Sequence, residues 1–365
     1  VAAAHAQGLG DAPRSGGRAS SPSSARERQE QVERLVRRVG CGPDRIARRG
    51  LSVRCEAGTD ATVGWLAQAG MAARTDLFAR ESEAALALAY AGGADAPDDL
   101  LHVTCTGYVS PSAAQRLVSR KGWGDRTRVT HVYHMGCYAA VPALRIARAL
   151  AAPALSRGHG PPRVDVVHTE LCSLHFDATA LSPEQLVVQS LFADGSIRYV
   201  ARAEPEGAGH AEGPPARGLR LLALREVLAT DSADAMQWRP GDRAMRMVLA
   251  RDVPDRIGAA IGSFAAALFA EGGLDFEAER STAAFAVHPG GPKIIDRVQD
   301  ALRLGDEQVA ASRRVLRLYG NMSSATLPHI WADLAGDPAC QPDTVVASFA
   351  FGPGLTIAGA LFRKV

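Results

Sequence analysis

Short apolar runs rich in Val, Ile and Leu alternate with amphipathic helical stretches on both sides of a polar, Gly/Pro-rich segment at Ala203–Arg217. That repeated alternation constrains the fold most, because strands that alternate with helices must bury their apolar faces in a layered α/β architecture. Before the segment, Leu100–Cys105, Arg128–Tyr133 and Val164–Val167 read as strands; after it, Leu219–Leu224, Ala244–Leu249, Thr282–Val287 and Thr344–Ala350 do so. Helices are expected over Arg26–Val39, Arg74–Tyr90, Ala139–Ala152, Val253–Glu271 and Ile294–Leu304. Gly8–Ser24, rich in Gly, Ser, Pro and Arg, predicts an irregular start. The organisation expected is an irregular segment 1–30, a first half 31–205 and a second half 206–365.

Cys137 lies at the junction between the strand Thr127–Tyr133 and the helix that follows, in His134-Met135-Gly136-Cys137-Tyr138-Ala139-Ala140. A thiol near a helix N-terminus meets unpaired backbone N–H groups and the positive end of the helix dipole, both of which favour the nucleophilic thiolate. Pro142 is compatible with the first turn of that helix, where a missing N–H costs nothing. A small buried residue is the ordinary use of a free cysteine, so the flanks alone leave both readings open. His288 closes the apolar run Ala283–Val287 and opens His288-Pro289-Gly290-Gly291-Pro292-Lys293, a strand, turn and helix pattern. Asn321 sits in Tyr319-Gly320-Asn321-Met322-Ser323-Ser324-Ala325, where glycine permits an unusual backbone angle before a polar side chain and a new helix. Each has an ordinary structural use by itself, and together they make a Cys, His, Asn set.

With Gly136-Cys137-Tyr138-Ala139, His288-Pro289-Gly290-Gly291-Pro292, Gly320-Asn321-Met322-Ser323-Ser324-Ala325 and Phe351-Gly352-Pro353-Gly354-Leu355-Thr356 in this order, the chain resembles the type III polyketide synthases. These are the chalcone synthase-like branch of the thiolase superfamily. The resemblance runs from about Glu33 to the C-terminus. It implies a thiolase-type α-β-α-β-α sandwich of two similar halves, normally a homodimer. It also implies Cys137 as nucleophile, with His288 pairing with its thiolate and Asn321 stabilising an enolate. Acyl and malonyl coenzyme A thioesters, or phosphopantetheine thioesters on an acyl carrier protein, would be the substrates, with no permanently bound cofactor.

Further roles follow from the same register. Phe192, in Leu191-Phe192-Ala193-Asp194-Gly195, corresponds to a gate between coenzyme A tunnel and cavity, although a phenylalanine in such a run is also plain core. Cys172 and Ser323 would lie on the cavity wall, and Gly352, Pro353 and Gly354 would shape it by close backbone approach. Ser110, smaller than the methionine of plant members, would enlarge the partner subunit's cavity. Arg45, Arg48 and Arg49 occupy a place similar to the basic tunnel mouth, where guanidinium forks suit phosphate; solvated surface or a carrier-protein dock would use them equally well. Cys172, Ser110 and Ala350 depart from the plant pattern. A cysteine at the position of Cys172 is common in bacterial members making alkylpyrones, alkylresorcinols or tetrahydroxynaphthalene, and together the three suggest a bacterial enzyme with room for an aliphatic chain. A stand-alone ketosynthase joining two carrier-bound β-keto chains into an α-pyrone, as in antibiotic biosynthesis, would keep the same three residues. A fatty-acid initiation synthase fits poorly, since Pro289-Gly290-Gly291 replaces its Gln-Ala-Asn run. A catalytically dead partner subunit would lack the cysteine.

Composition agrees with an enzyme in the cytoplasm: 365 residues, 47% hydrophobic, with a net charge of +2 that implies no nucleic-acid surface. The six cysteines, at 41, 55, 105, 137, 172 and 340, show no C-x-x-C pair, so reduced thiols are expected and neither zinc nor a disulfide scaffold. His131, His134, His168 and His175 have no metal-ligand pattern: a spacing of three on a strand sends the first two rings to opposite faces. No apolar run long enough to span a membrane is expected, and Val1–Ala6 lacks signal-peptide flanks.

Overall fold

The computed structural model describes residues 22–52, 59–152, 162–203 and 218–365. Two four-stranded sheets dominate it. The first contains β1 (Asp99–Thr104), β2 (Arg128–Tyr133), β3 (Arg163–Leu171) and β4 (Asp194–Arg202), in the order β2-β1-β3-β4. β1 runs parallel to both β2 and β3, while β4 is antiparallel to β3. The second contains β5 (Leu219–Leu228), β8 (Ala284–Val287), β9 (Val345–Gly352) and β10 (Thr356–Lys364), in the order β5-β10-β9-β8. Here β8 is parallel to β9, and β10 is antiparallel to β9 and β5. The parallel pair followed by an antiparallel neighbour therefore recurs in both sheets. A hairpin of β6 (Met236–Pro240) and β7 (Met245–Leu249) forms a separate ribbon.

The sheets are buried by helices, as parallel strands require. Every residue of β9 is buried, which explains why it reads as a continuous apolar run. Its Phe349 contacts Phe285 and Phe264, with ring centroids 6.2 and 6.1 Å away, and burying each such ring contributes about 2–3 kcal/mol. The Val253–Glu271 helix covers this sheet with Ile257, Ile261, Ala265, Leu268 and Phe269. By length and composition this helix could cross a membrane, which corrects the expectation that no such run exists; its apolar face lies in the core. Local chemistry sets the helix starts. Ser112 and Gln115 make a reciprocal capping box before the Ala113–Arg120 helix. Ser182 caps the Pro183–Leu191 helix, and Pro292 begins the Pro292–Leu302 helix.

The helix expected over Arg26–Val39 begins earlier, at Pro22, so the last part of segment 1–30 is helical rather than irregular. The expectations for residues 1–21, for Cys55 and for the dividing loop over residues 204–217 lie outside the described residues. So does the boundary between the halves 31–205 and 206–365. Among the described residues, each sheet draws all its strands from one side of that boundary.

Candidate active site

The parallel strands of both sheets end at one set of loops. Cys105 follows β1, His134–Cys137 follows β2, Cys172 follows β3, His288 follows β8, and Gly352 ends β9. Loops beyond the carboxyl ends of parallel strands are where open α/β sheets place ligands.

Cys137 precedes the Ala140–Leu150 helix, with Pro142 in its first turn. The loop is tight: His134 and Gly136 both have positive φ, 60° and 80°. A Cβ on Gly136 would lie 2.5 Å from Pro353 Cδ, and one on Gly352 would lie 2.1 Å from Tyr138 Cδ1. The close approach expected of Gly352-Pro353-Gly354 is thus present, directed at the loop that carries the sulfur. The Gly136 N–H donates to Cys105 Sγ at 3.0 Å.

Asn321 and Ser323 converge on the same sulfur. Ser323 Oγ is 3.8 Å from Cys137 Sγ, and the nearby Asn321 side chain, like Ser323, acts to lower the thiol's pKa. Asn321 Oδ1 accepts from the Ser323 N–H at 2.9 Å and from Thr326 Oγ1 at 3.4 Å. With its oxygen held there, the carboxamide turns its NH2 toward Cys137. His288 is fixed by its main chain, whose N–H donates to Phe349 O at 2.8 Å. Its imidazole is 1% exposed, and neither ring nitrogen has a hydrogen-bond partner, Cys137 included. A buried imidazole with both nitrogens idle is a costly arrangement that a ligand would relieve.

Burial controls the protonation of both groups. It pushes the Cys137 thiol up to about 12, against the lowering effect of its bonds with Ser323 and Asn321. It pushes His288 down to about 3. Burial thus favours the neutral form of each group, opposing the thiolate and imidazolium pair that the resemblance implies. Desolvation outweighs the helix N-terminus.

Beneath the sulfur lies a network that the motifs did not reveal. Glu170, fully buried at the end of β3, accepts from the Cys105 N–H and Thr106 Oγ1, each at 3.0 Å. Its other oxygen accepts from the Ser324 N–H at 3.3 Å and from the Ser324 hydroxyl. Ser324 Oγ is also 3.0 Å from His168 Nδ1. Burial raises the Glu170 pKa, and these hydrogen bonds pull it back. No sequence signal marked Glu170, since β3 also carries Arg163, Asp165, His168 and Thr169. Cys172, partly exposed, and Cys105 both have raised pKa values, from burial first and then from Glu170, and each is electrostatically coupled to Cys137.

The other expected binding residues are scattered. Phe192 is the C-cap of the Pro183–Leu191 helix and pairs as a parallel bridge with Asn321, which ties this expected gate position to the cluster. Ser110 is exposed, far down the β1–Ala113 connection. Arg45, in a turn beside Asp44 at 3.4 Å, and Arg48, in the irregular segment after it, are both exposed. Arg49 is partly buried, and its Nη1 donates to Gln189 O at 2.8 Å and Phe192 O at 3.0 Å. His175 is held by Thr106 O and the Met245 N–H. Among the described residues, no group of three or more His, Cys, Asp or Glu side chains could hold a metal, and the cysteines are unpaired.

The family description "Chalcone and stilbene synthases" matches this chain twice, its N-terminal domain over residues 76–205 and its C-terminal domain over 222–365. A 1,3,6,8-tetrahydroxynaphthalene synthase of Streptomyces peucetius subsp. caesius is 32% identical over 83% of the chain and 77% of its own length. A probable polyketide synthase 1 of Dictyostelium discoideum is 30% identical over 73% of the chain, which spans 8% of that protein. The crystal structure of the C-terminal type III polyketide synthase domain of Steely1, a type I/III hybrid from Dictyostelium, shares the fold. Its TM-score is 0.77 at 24% identity, over 95% of this chain and 92% of that one.

Proposed function

Since the chain belongs to the chalcone and stilbene synthase family, the type III polyketide synthases, and is an acyltransferase-type enzyme, we propose that it builds an alkylpyrone or alkylresorcinol-type polyketide on Cys137. The supporting observation is the cluster of Cys137, Asn321 and Ser323, with a buried and unpartnered His288 beyond the same strand ends. Acyl- and malonyl-coenzyme A are the substrates, no cofactor is held permanently, and the working form is a homodimer.

The neutral imidazole of His288 takes the thiol proton as Cys137 Sγ attacks the starter carbonyl, and returns it to the departing coenzyme A thiolate. The acyl group stays on sulfur. Malonyl thioester then loses carbon dioxide, and the enolate oxygen receives hydrogen bonds from Asn321 Nδ2 and the neutral His288 N–H. The enolate carbon attacks the acyl thioester, forming the carbon–carbon bond and releasing the Cys137 thiolate. Because donors already fixed before reaction need no reorganisation, the held carboxamide of Asn321 suits this step. Phe192 and Cys172 bound the cavity, and Arg45 and Arg48 remain available for the coenzyme phosphates.

Purified protein should convert labelled malonyl-coenzyme A and a fatty acyl-coenzyme A into a pyrone or resorcinol of the corresponding mass. Cys137→Ala should lose the acyl adduct in intact-protein mass spectrometry, and Asn321→Ala should lose more decarboxylation than loading. An acyl adduct on the alanine variant would refute the nucleophile assignment. Turnover only with carrier-bound β-keto chains would replace this substrate assignment.

A further inference from the structure

We propose that Arg49 is a positioning residue for condensation: by clamping the main chain on both sides of Phe192, it holds the Asn321 carboxamide against Cys137. The inference rests on the function proposed above.

The path from guanidinium to sulfur is short. Arg49 Nη1 donates to the carbonyls of Gln189 and Phe192, which belong to the last turn and the cap of the Pro183–Leu191 helix. Terminal helix carbonyls lack intrahelical partners and carry the negative end of the dipole, so a cation is favoured there. Between those two carbonyls, Leu191 O accepts from the Asn321 N–H at 2.9 Å; just beyond them, the Ala193 N–H donates to Asn321 O at 2.8 Å. Both main-chain groups of Asn321 are therefore committed to the segment that Arg49 holds. Its side-chain oxygen accepts from the Ser323 N–H and Thr326 Oγ1, beside the Ser323 hydroxyl that contacts Cys137 Sγ.

The arginine stem acts on the neighbouring residue as well. Gly320 has φ +77°, and a Cβ there would meet Arg49 Cγ at 3.0 Å, Ala193 Cβ at 3.0 Å and Leu191 O at 3.1 Å. The stem thus packs directly on the backbone that enters Asn321. Arg49 is itself on a fixed segment, since the Asp194 N–H donates to Gly50 O at 2.9 Å and its carboxylate accepts from the Ser52 N–H at 2.7 Å. The same carboxylate accepts from the Ser173 N–H at 2.7 Å, beside Cys172. One bonded unit therefore joins the Arg49–Ser52 segment, the gate residue, the cavity cysteine and the enolate-binding amide.

Arg49→Met keeps the stem on Gly320 and removes the fork, while Arg49→Lys keeps charge and length with poorer geometry. Hydrogen exchange reads the clamp without reference to activity. In Arg49→Met, the amides of Ala193 and Asn321 should exchange faster, and Arg49→Lys should be intermediate. Malonyl-coenzyme A decarboxylation should lose about 10- to 100-fold in kcat, the scale on which small misplacements act, with KM little changed and Cys137 still acylated. A raised KM with unaltered kcat and exchange would return Arg49 to phosphate binding and overturn the proposal, as would wild-type values throughout. If Arg49→Met does not fold, Arg49→Lys carries the same comparison. Should the wild-type protein fail to decarboxylate malonyl-coenzyme A, the proposed function falls, whereas the exchange result still decides whether Arg49 clamps Asn321.

Discussion

At Cys137 two opposing effects can be ranked. The helix N-terminus contributes on the order of 1 kcal/mol toward the thiolate, whereas burial moves the thiol from 9.0 up to about 12, which is several times larger. The free enzyme should therefore react slowly with iodoacetamide at neutral pH, with a rate rising about tenfold per pH unit from 7 to 10 as the thiolate fraction grows. A plateau reached below pH 8 would mean that the sulfur is already ionised. Preloading with a non-hydrolysable acyl thioester analogue should block the reaction. The neighbouring glycine gives a sharper structural test. Gly136→Ala would place a methyl 2.5 Å from the Pro353 ring at φ 80°, so at least about 1–2 kcal/mol of strain is expected, with loss of acyl loading ahead of loss of fold. Cys137 and Asn321 were legible because glycines mark the turns around them. Arg49 and Glu170 were not, since nothing in a run of arginines or in a lone acid says which buried backbone atoms it meets.

Elements with strong periodicity or long apolar runs read well, and the rest were lost for identifiable reasons. The Val253–Glu271 helix and β2 have the predicted bounds, one from its apolar stripe and the other from its β-branched residues. β4 was missed because Gly195, Arg198 and Arg202 interrupt any apolar run, although pairing with all nine residues of β3 holds it in place. β10 was missed because it begins inside a Gly/Pro motif and ends in Arg363-Lys364. Lys364 shows why such an ending is tolerated. Buried at 7% exposure, its Nζ donates to Leu334 O at 3.1 Å, Asp337 O at 2.7 Å and Cys340 O at 2.6 Å. It thereby caps the Thr326–Gly336 helix that follows the Asn321 turn. Lys364→Met should leave these carbonyls unsatisfied and cost about 2–3 kcal/mol in urea unfolding, while kcat of the folded fraction stays unchanged. A variant as stable as the parent would show that the carbonyls find water instead.

For the whole molecule, buried histidines set the response to acid. Burial lowers His102, His168 and His288 to about 3 and His175 to about 4, against an ordinary value of 6.5. Between these limits the unfolded chain binds more protons than the native one, so stability is full above about pH 6.5 and is lost as pH falls toward 3. Each group costs about 1.4 kcal/mol per pH unit in that window, hence roughly 2 kcal/mol at pH 5. Glu170 and Asp194 act in the opposite sense, because burial raises both: their protonated forms fit the interior, and their contribution grows on acidification. Four imidazoles against two carboxyls leave the acid loss dominant, and its size approaches the 5–15 kcal/mol typical of native proteins. Tm should fall steeply between pH 6.5 and 5 and recover on back-titration. His168→Asn can still bond Ser324 but has no proton to gain, so its Tm should fall less over the same interval, even if it starts lower at pH 8. Parallel curves for the two proteins would remove His168 from the account, and a flat parent curve would mean that these imidazoles reach solvent in the native state.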